Sequence, residues 1–206
     1  MMGHEISTIE ELEAVYGEVS APARVKELDY IHPHYRAYIE AAPFAVLATV
    51  GPEGTDCTPR GDPAGEFARV ADEKTVLLPD RRGNNRVDSL RNIVRDPRVS
   101  LLFLIPGIDV TMQINGRSVI STDPDLIATF DMNGKLPRSV LVVTVGRIYF
   151  QCPKALVRSR LWSADAQVPR ADLPSTGTMI KALVEDDFDA EAYDEGYPAH
   201  MARTIY

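Results

Sequence analysis

Between residues 77 and 93 the chain reads "LLPDRRGNNRVDSLRNI", which sets Arg81, Arg82 and Arg86 with Asn84 and Asn85 around Gly83 in a protein of formal net charge -8. Leu77 and Leu78 close an apolar run, Pro79 stops it, and Val87, Leu90 and Ile93 or Val94 then recur at helical spacing. A helix is therefore expected to open at Asn84 or Asn85. Such an opening presents unpaired backbone N–H groups and the positive end of the helix dipole, a natural seat for phosphate. Gly83 lets the backbone approach an anion closely, and Asn85 and Arg86 add donors from the first turn. The arginine fork suits phosphate oxygens. The plainer reading is a capped surface helix with solvated arginines.

Two further stretches carry candidate chemistry. In "DCTPRGDPAG" (56–65), Arg60 stands at a strand end beside Gly61 and Asp62, where it can serve an anion or only a salt bridge. In "FQCPKALVRSRLWS" (150–163), Pro153 suits the first turn of a helix that would bring Lys154, Arg158 and Leu161 or Trp162 to one side. Either Lys154, Arg158 and Trp162 frame an aromatic ring or an anionic substrate, or Ala155, Leu156 and Trp162 pack on the body while the cations stay solvated. His32 and His34 lack a third ligand at useful spacing and read as a helix entry. Cys57 and Cys152 are too few for a disulfide framework and have no assignable catalytic partner. A Ser/His/Asp arrangement, a Walker loop and a dinucleotide glycine fingerprint are all missing.

The elements that must position these residues read as helices, then strands, then helices. Ser7-Thr8-Ile9-Glu10 has a capping-box pattern, with Ser7 as the cap, ahead of apolar Leu12, Val15 and Tyr16. Pro22 fits the first turn of a second helix, and "HYRAYIEAA" forms a third. Strands are expected at 44–50, 56–60, 67–71, 75–79, 98–105, 109–121 and 139–151, with a helix over 84–95. Short turns join them, which favours an antiparallel sheet closing into a small barrel over a doubly wound fold. The fold class is thus mainly β with flanking helices. Residues 1–42 form an N-terminal helical segment, 43–151 the core, and 152–206 C-terminal helices with a lid at 163–177, all of one domain. The acidic "EDDFDAEAYDEG" reads as a solvated face.

Composition narrows the function classes. A pI near 5.0 argues against an extended nucleic-acid face, so any anion site is local. The apolar runs are too short to span a membrane, and no leader pattern opens the chain, so a cytoplasmic protein is expected.

The run "NIVRDPRVSLLF", followed by "INGR", resembles the Asn-Leu-x-x-Asn-Pro-x-Val-x-Leu-x-Phe and x-x-Gly-Arg/Lys passages of flavin-nucleotide-binding proteins related to pyridoxamine 5'-phosphate oxidase. The resemblance covers roughly residues 40–150. It implies a split β-barrel homodimer that binds FMN at the subunit interface. Carried over, it gives Arg60 as the phosphate-side arginine and Asn84, Asn85, Arg86 and Ser89 as the next polar cluster. Leu78, Pro79 and Asp80 fall on the strand end whose backbone lies beside the isoalloxazine ring, and Thr111 on a position facing the flavin. The chain departs from the family where "GNNRVDS" replaces a Ser/Thr-then-Lys pattern. It also departs in an acidic, Tyr-rich C-terminus that lacks the oxidase's substrate motifs. An FMN-dependent oxidoreductase of unknown small-molecule substrate is the function so implied. A noncatalytic flavin-binding module and a deazaflavin (F420) binder are the alternatives, the last calling for a longer basic groove than this acidic chain offers.

Overall fold

The computed structural model describes residues 5–185 and 187–205. Three helices lead in: α1 (Ile9–Tyr16), α2 (Ala21–Val25) and α3 (Pro33–Ala41). The first cap falls one residue later than its sequence pattern suggests. Thr8 accepts from the backbone N–H of Glu11, whose carboxylate receives the N–H groups of Thr8 and Ser7. Pro22 opens α2 and His32 caps α3 through the N–H of His34.

Seven strands follow: β1 (Phe44–Gly51), β2 (Gly54–Gly61), β3 (Arg69–Asp72), β4 (Thr75–Asp80), then α4 (Asp88–Arg95), β5 (Arg98–Ile105), β6 (Ile108–Ser121), α5 (Pro124–Ala128) and β7 (Ser139–Gln151). Every pairing is antiparallel, in the order β2-β1-β5-β6-β7-β4-β3. Alternation sets the inner face. Ala45 and Leu47 of β1, and Val99, Leu101 and Phe103 of β5, are buried with Met112, Ile114, Val143 and Ile148. Ile39 of α3 closes the core from one side and Ile93 of α4 from another. Each such side chain contributes about 1.5–3 kcal/mol by leaving water.

The antiparallel sheet with flanking helices is the expected fold class, and it does not close on itself by backbone pairing, as a split barrel requires. No ladder joins β2 to β3 among the described residues. Side chains span the gap instead, from Arg60 to Asp80 and from Arg81 to Asp62.

After β7 come α6 (Lys154–Ser159), two 3-10 turns (Ala164–Ala166 and Arg170–Asp172), α7 (Thr176–Lys181) and α8 (Ala190–Thr204). The C-terminal helix is therefore long, where a short one was expected. No helix among the described residues is long and apolar enough to cross a membrane.

Candidate functional site

The site is built where β2, β4 and α4 meet. Along β2, Asp56, Thr58 and Arg60 share one face by the two-residue period of a strand, and each of the two charged ends is claimed. The Asp56 carboxylate and the Thr49 hydroxyl receive the amide of Asn92, at 2.5 and 3.1 Å, which fastens α4 across β1 and β2. Arg60 donates from Nη1 to Asp80 at 2.5 Å and from Nη2 to Ser89 at 2.7 Å. Its Nε and the Thr58 hydroxyl are enclosed without a hydrogen-bond partner. Buried donors left in that state are uncommon and invite an acceptor.

Helix α4 opens at Asp88, four residues beyond Asn84, and the reason is local. Asn84 Oδ1 accepts the N–H of Arg86, a side-chain turn that competes with helix formation. Asn85 follows at φ 61°, a left-handed conformation that a helix cannot continue through. The N-cap is Val87, which has no side chain to satisfy the first-turn N–H groups. An uncapped helix start therefore faces the Arg60 cluster, with buried Ser89 on its second residue.

The basic loop is only partly free. Arg86 lies on Asp88 at 2.6 Å, and that hydrogen bond holds the Asp88 carboxyl below the usual carboxylate range. Arg138, at the head of β7, donates to Asn85 Oδ1 at 2.8 Å. Around the helix start, Arg60, Arg86 and Arg138 thus stand against Asp80 and Asp88, one positive charge in excess, with exposed Arg82 beside them.

The other expected site residues divide. Arg60, Asp80, Asn85, Arg86 and Ser89 come together; Asn84 shapes their turn. Asp62 is a different case, because its carboxylate receives Arg81 Nε at 2.8 Å while Arg81 Nη1 reaches the Phe130 carbonyl. Gly61 sits where a Cβ would lie 3.0 Å from the Pro43 carbonyl, a close approach of two backbones. Leu78 points into the core, while the backbone of Leu78, Pro79 and Asp80 pairs only with β7, running past the end of β3.

Thr111, Lys154, Arg158 and Trp162 lie elsewhere. Thr111 pairs with Gln151, at the opposite end of β7 from the Ser139 partner of Asp80, yet across the sheet its neighbour Met112 is registered with Phe103, Ala45 and then Arg60, three strand spacings or about 15 Å. Trp162 is not on the helix with Lys154 and Arg158, as the spacing suggested. Helix α6 ends at Ser159 and Arg160 turns left-handed. The indole N–H instead donates to the Ile108 carbonyl at 3.0 Å, pinning the chain to the β5–β6 turn. Lys154 and Arg158 are exposed.

Two functional candidates escaped sequence reasoning. Arg138 reaches the site because β7 pairs with β4, a contact between segments far apart in sequence with no local signal. Asn92 lies within "NIVRDPRVSLLF", but its tether to Asp56 requires the β1–β2 hairpin to be folded.

The family model described as pyridoxamine 5'-phosphate oxidase matches residues 31–152. No curated protein matches the chain. Among solved structures, HupZ of Group A Streptococcus is 17% identical, with 58% of this chain and 93% of that chain covered at a TM-score of 0.47. A putative pyridoxamine 5'-phosphate oxidase of Lactobacillus delbrueckii is 16% identical, covering 60% and 98% at 0.48. A protein titled F420 reductase is 18% identical, covering 59% and 98% at 0.42. The family match spans all seven strands and more than half of the chain, and so the chain belongs to the pyridoxamine 5'-phosphate oxidase family.

Proposed function

We propose that this protein binds FMN and works as an FMN-dependent oxidoreductase on a small molecule. The observation that carries this is the uncapped start of α4 with Arg60 docked on its first turn through Ser89. Free N–H groups, a helix dipole and arginines converge there, which is the donor set of a phosphate end. The enclosed Arg60 Nε supplies a further donor without an acceptor. Asn85, Arg86 and Arg138 would complete the phosphate side, and the free backbone edge of Leu78–Asp80 would lie along the ring.

Flavin would supply the electron transfer, and the protein binding, orientation and electrostatics. Thr111 neighbours Met112, which lies three strand spacings across the sheet from Arg60, roughly 15 Å, and Lys154 and Arg158 follow the end of β7 on that side. The flavin would lie at the subunit interface of a homodimer, the closed two-fold arrangement being the commonest oligomer.

The test is the absorption spectrum and mass of whatever copurifies, followed by titration of the stripped protein with FMN, riboflavin and a deazaflavin. FMN should bind at least tenfold tighter than riboflavin, and Arg86→Ala should narrow that gap. Equal affinity for FMN and riboflavin would move the phosphate elsewhere; preference for the deazaflavin would replace the cofactor. Anaerobic mixing with NADH and NADPH then separates an enzyme, whose flavin is reduced, from a passive binder.

A further inference from the structure

The C-terminal arm is folded yet almost unsupported. Trp162 is the last residue anchored to the barrel; among the described residues, no hydrogen bond or ion pair joins 163–205 to a strand or to α4. Helices α7 and α8 pack on each other, with Asp194 accepting the N–H of Gly177. The fifteen residues of α8 bury none of their side chains, and the helix contains Gly196 and Pro198. A helix of this length is marginal alone in water, and those two residues weaken it further. Something should cover it.

Its surface says what. Tyr193, Tyr197 and Met201 form one stripe by their four-residue spacing, Tyr193 and Tyr197 stacked at 5.9 Å, with Tyr197 and Met201 exposed. Beside them Glu191 and Glu195 form an exposed carboxylate row, in a segment where seven of the twelve residues 185–196 are acidic and none basic.

The complementary surface is on α4. Val87, Leu90, Val94 and Ile120 floor an apolar groove of about 280 Å³ rimmed by Arg91 and Arg95. Val94 is 77% exposed, and neither arginine makes a salt bridge among the described residues. Arg91 and Arg95 repeat at the same four-residue spacing as Glu191 and Glu195. Within one chain α8 does not cover the groove, since none of its residues lines it and Val94 stays exposed. The arm leaves the barrel beside Ile108, at the opposite end of β5 from the α4 terminus, a strand of eight residues or about 25 Å.

We infer that α8 docks in the α4 groove of a second copy of this chain, its Tyr197–Met201 stripe on Val94 and Leu90 and its Glu191–Glu195 row against Arg91 and Arg95. A two-fold axis makes the exchange reciprocal, so that each subunit's arm clasps the other. The contact is independent of any cofactor.

A photoreactive benzoylphenylalanine in place of Tyr197 tests this in the full-length protein. Equal amounts of chain grown on nitrogen-14 and nitrogen-15 are mixed, allowed to exchange and irradiated. Mixed-isotope adducts between the α8 peptide and residues 87–95 are expected. Adducts within one chain, adducts mapping only to other surfaces, or none at all would overturn the inference. Arg91→Glu with Arg95→Glu should lower the α4 adduct yield at least fivefold, and adding Glu191→Arg with Glu195→Arg should restore it. Loss without restoration, or no loss, would refute the charge pairing.

Discussion

Removal of the Arg60 side chain should be felt twice, once in stability and once in phosphate recognition. Arg60 and Asp80 are 22% and 12% exposed at their side chains and meet at 2.5 Å. Arg60→Ala leaves the Asp80 carboxylate largely out of water without its cation. Breaking a buried pair from one side costs about 3–5 kcal/mol, and the residual access to water places this case near 3 kcal/mol. For a chain of this size each kcal/mol moves the thermal midpoint by about 2–4 °C, so a drop of roughly 6–12 °C is expected. Adding Asp80→Asn to Arg60→Ala removes the stranded charge and should recover part of that loss, which an additive pair of contacts would not do.

The second effect is measured well below both midpoints. Loss of one charge-assisted hydrogen bond to phosphate is worth about 1.5–3 kcal/mol, so FMN affinity should fall roughly 10- to 150-fold while riboflavin affinity is unchanged. A midpoint shift under about 2 °C would refute the buried-pair reasoning. Equal weakening of FMN and riboflavin would show that Arg60 is a structural tie alone.

Other residues give separable tests. Gly116 lies at a bulge where β6 shifts register against β7, and a Cβ there would stand 2.1 Å from the Thr144 carbonyl, so Gly116→Ala should lower the midpoint by 6 °C or more, about 3 kcal/mol, as measured by calorimetry. Asp96 is held at a pKa of about 2, first by the Arg98 side chain and then by its backbone N–H. Because its folded pKa is depressed below the ordinary 3.8, its stabilisation is present above pH 4 and lost as pH falls towards 2. Asp96→Asn should therefore be the less stable protein at pH 6 and match the parent at pH 2 in urea titrations. Trp162→Ala should cost about 2 kcal/mol, below the 3–5 of a fully buried site, whereas Arg158→Ala should leave the midpoint unchanged and alter the reoxidation rate of bound flavin. Unaltered flavin chemistry in the Arg158 variant would remove α6 from the ring side.

The strands were legible because their physics is local. Alternating apolar residues and turn-forming pairs such as Gly51-Pro52 and Pro106-Gly107 mark all seven to within a few residues. Helix beginnings were less so. Ser7 and Thr8 are both competent caps, and only the reach of Glu11 selects Thr8. At α4 the apolar stripe suggested a start near Asn84, but the side-chain turn at Asn84 and the left-handed Asn85 delay it to Asp88. The site itself was half legible. Arg60, Arg86 and Ser89 fall in stretches that announce anion chemistry or resemble a family that uses it. That Asp80 would claim Arg60, that Asp62 would claim Arg81, and that Arg138 would arrive from β7 depend on pairings between distant segments.

The split in the sheet and the candidate site are one feature of the sequence. Strand β2 carries Pro59 and the end of β4 carries Pro79. Proline has no N–H, so within a ladder it is tolerated only where that missing donor points away from the paired strand. Pro59 is registered with Val46 of β1 and Pro79 with Val140 of β7, which turns the deficient edge of each strand towards the gap. Backbone closure across the gap would therefore lack donors on both sides. Arg60 and Asp62, one and three residues after Pro59, bridge it with side chains to Asp80 and Arg81. A ladder would have consumed the polar groups of both edges in fixed pairs. Side-chain bridges leave the helix start of α4 open beside them, and it is this opening that can admit a phosphate.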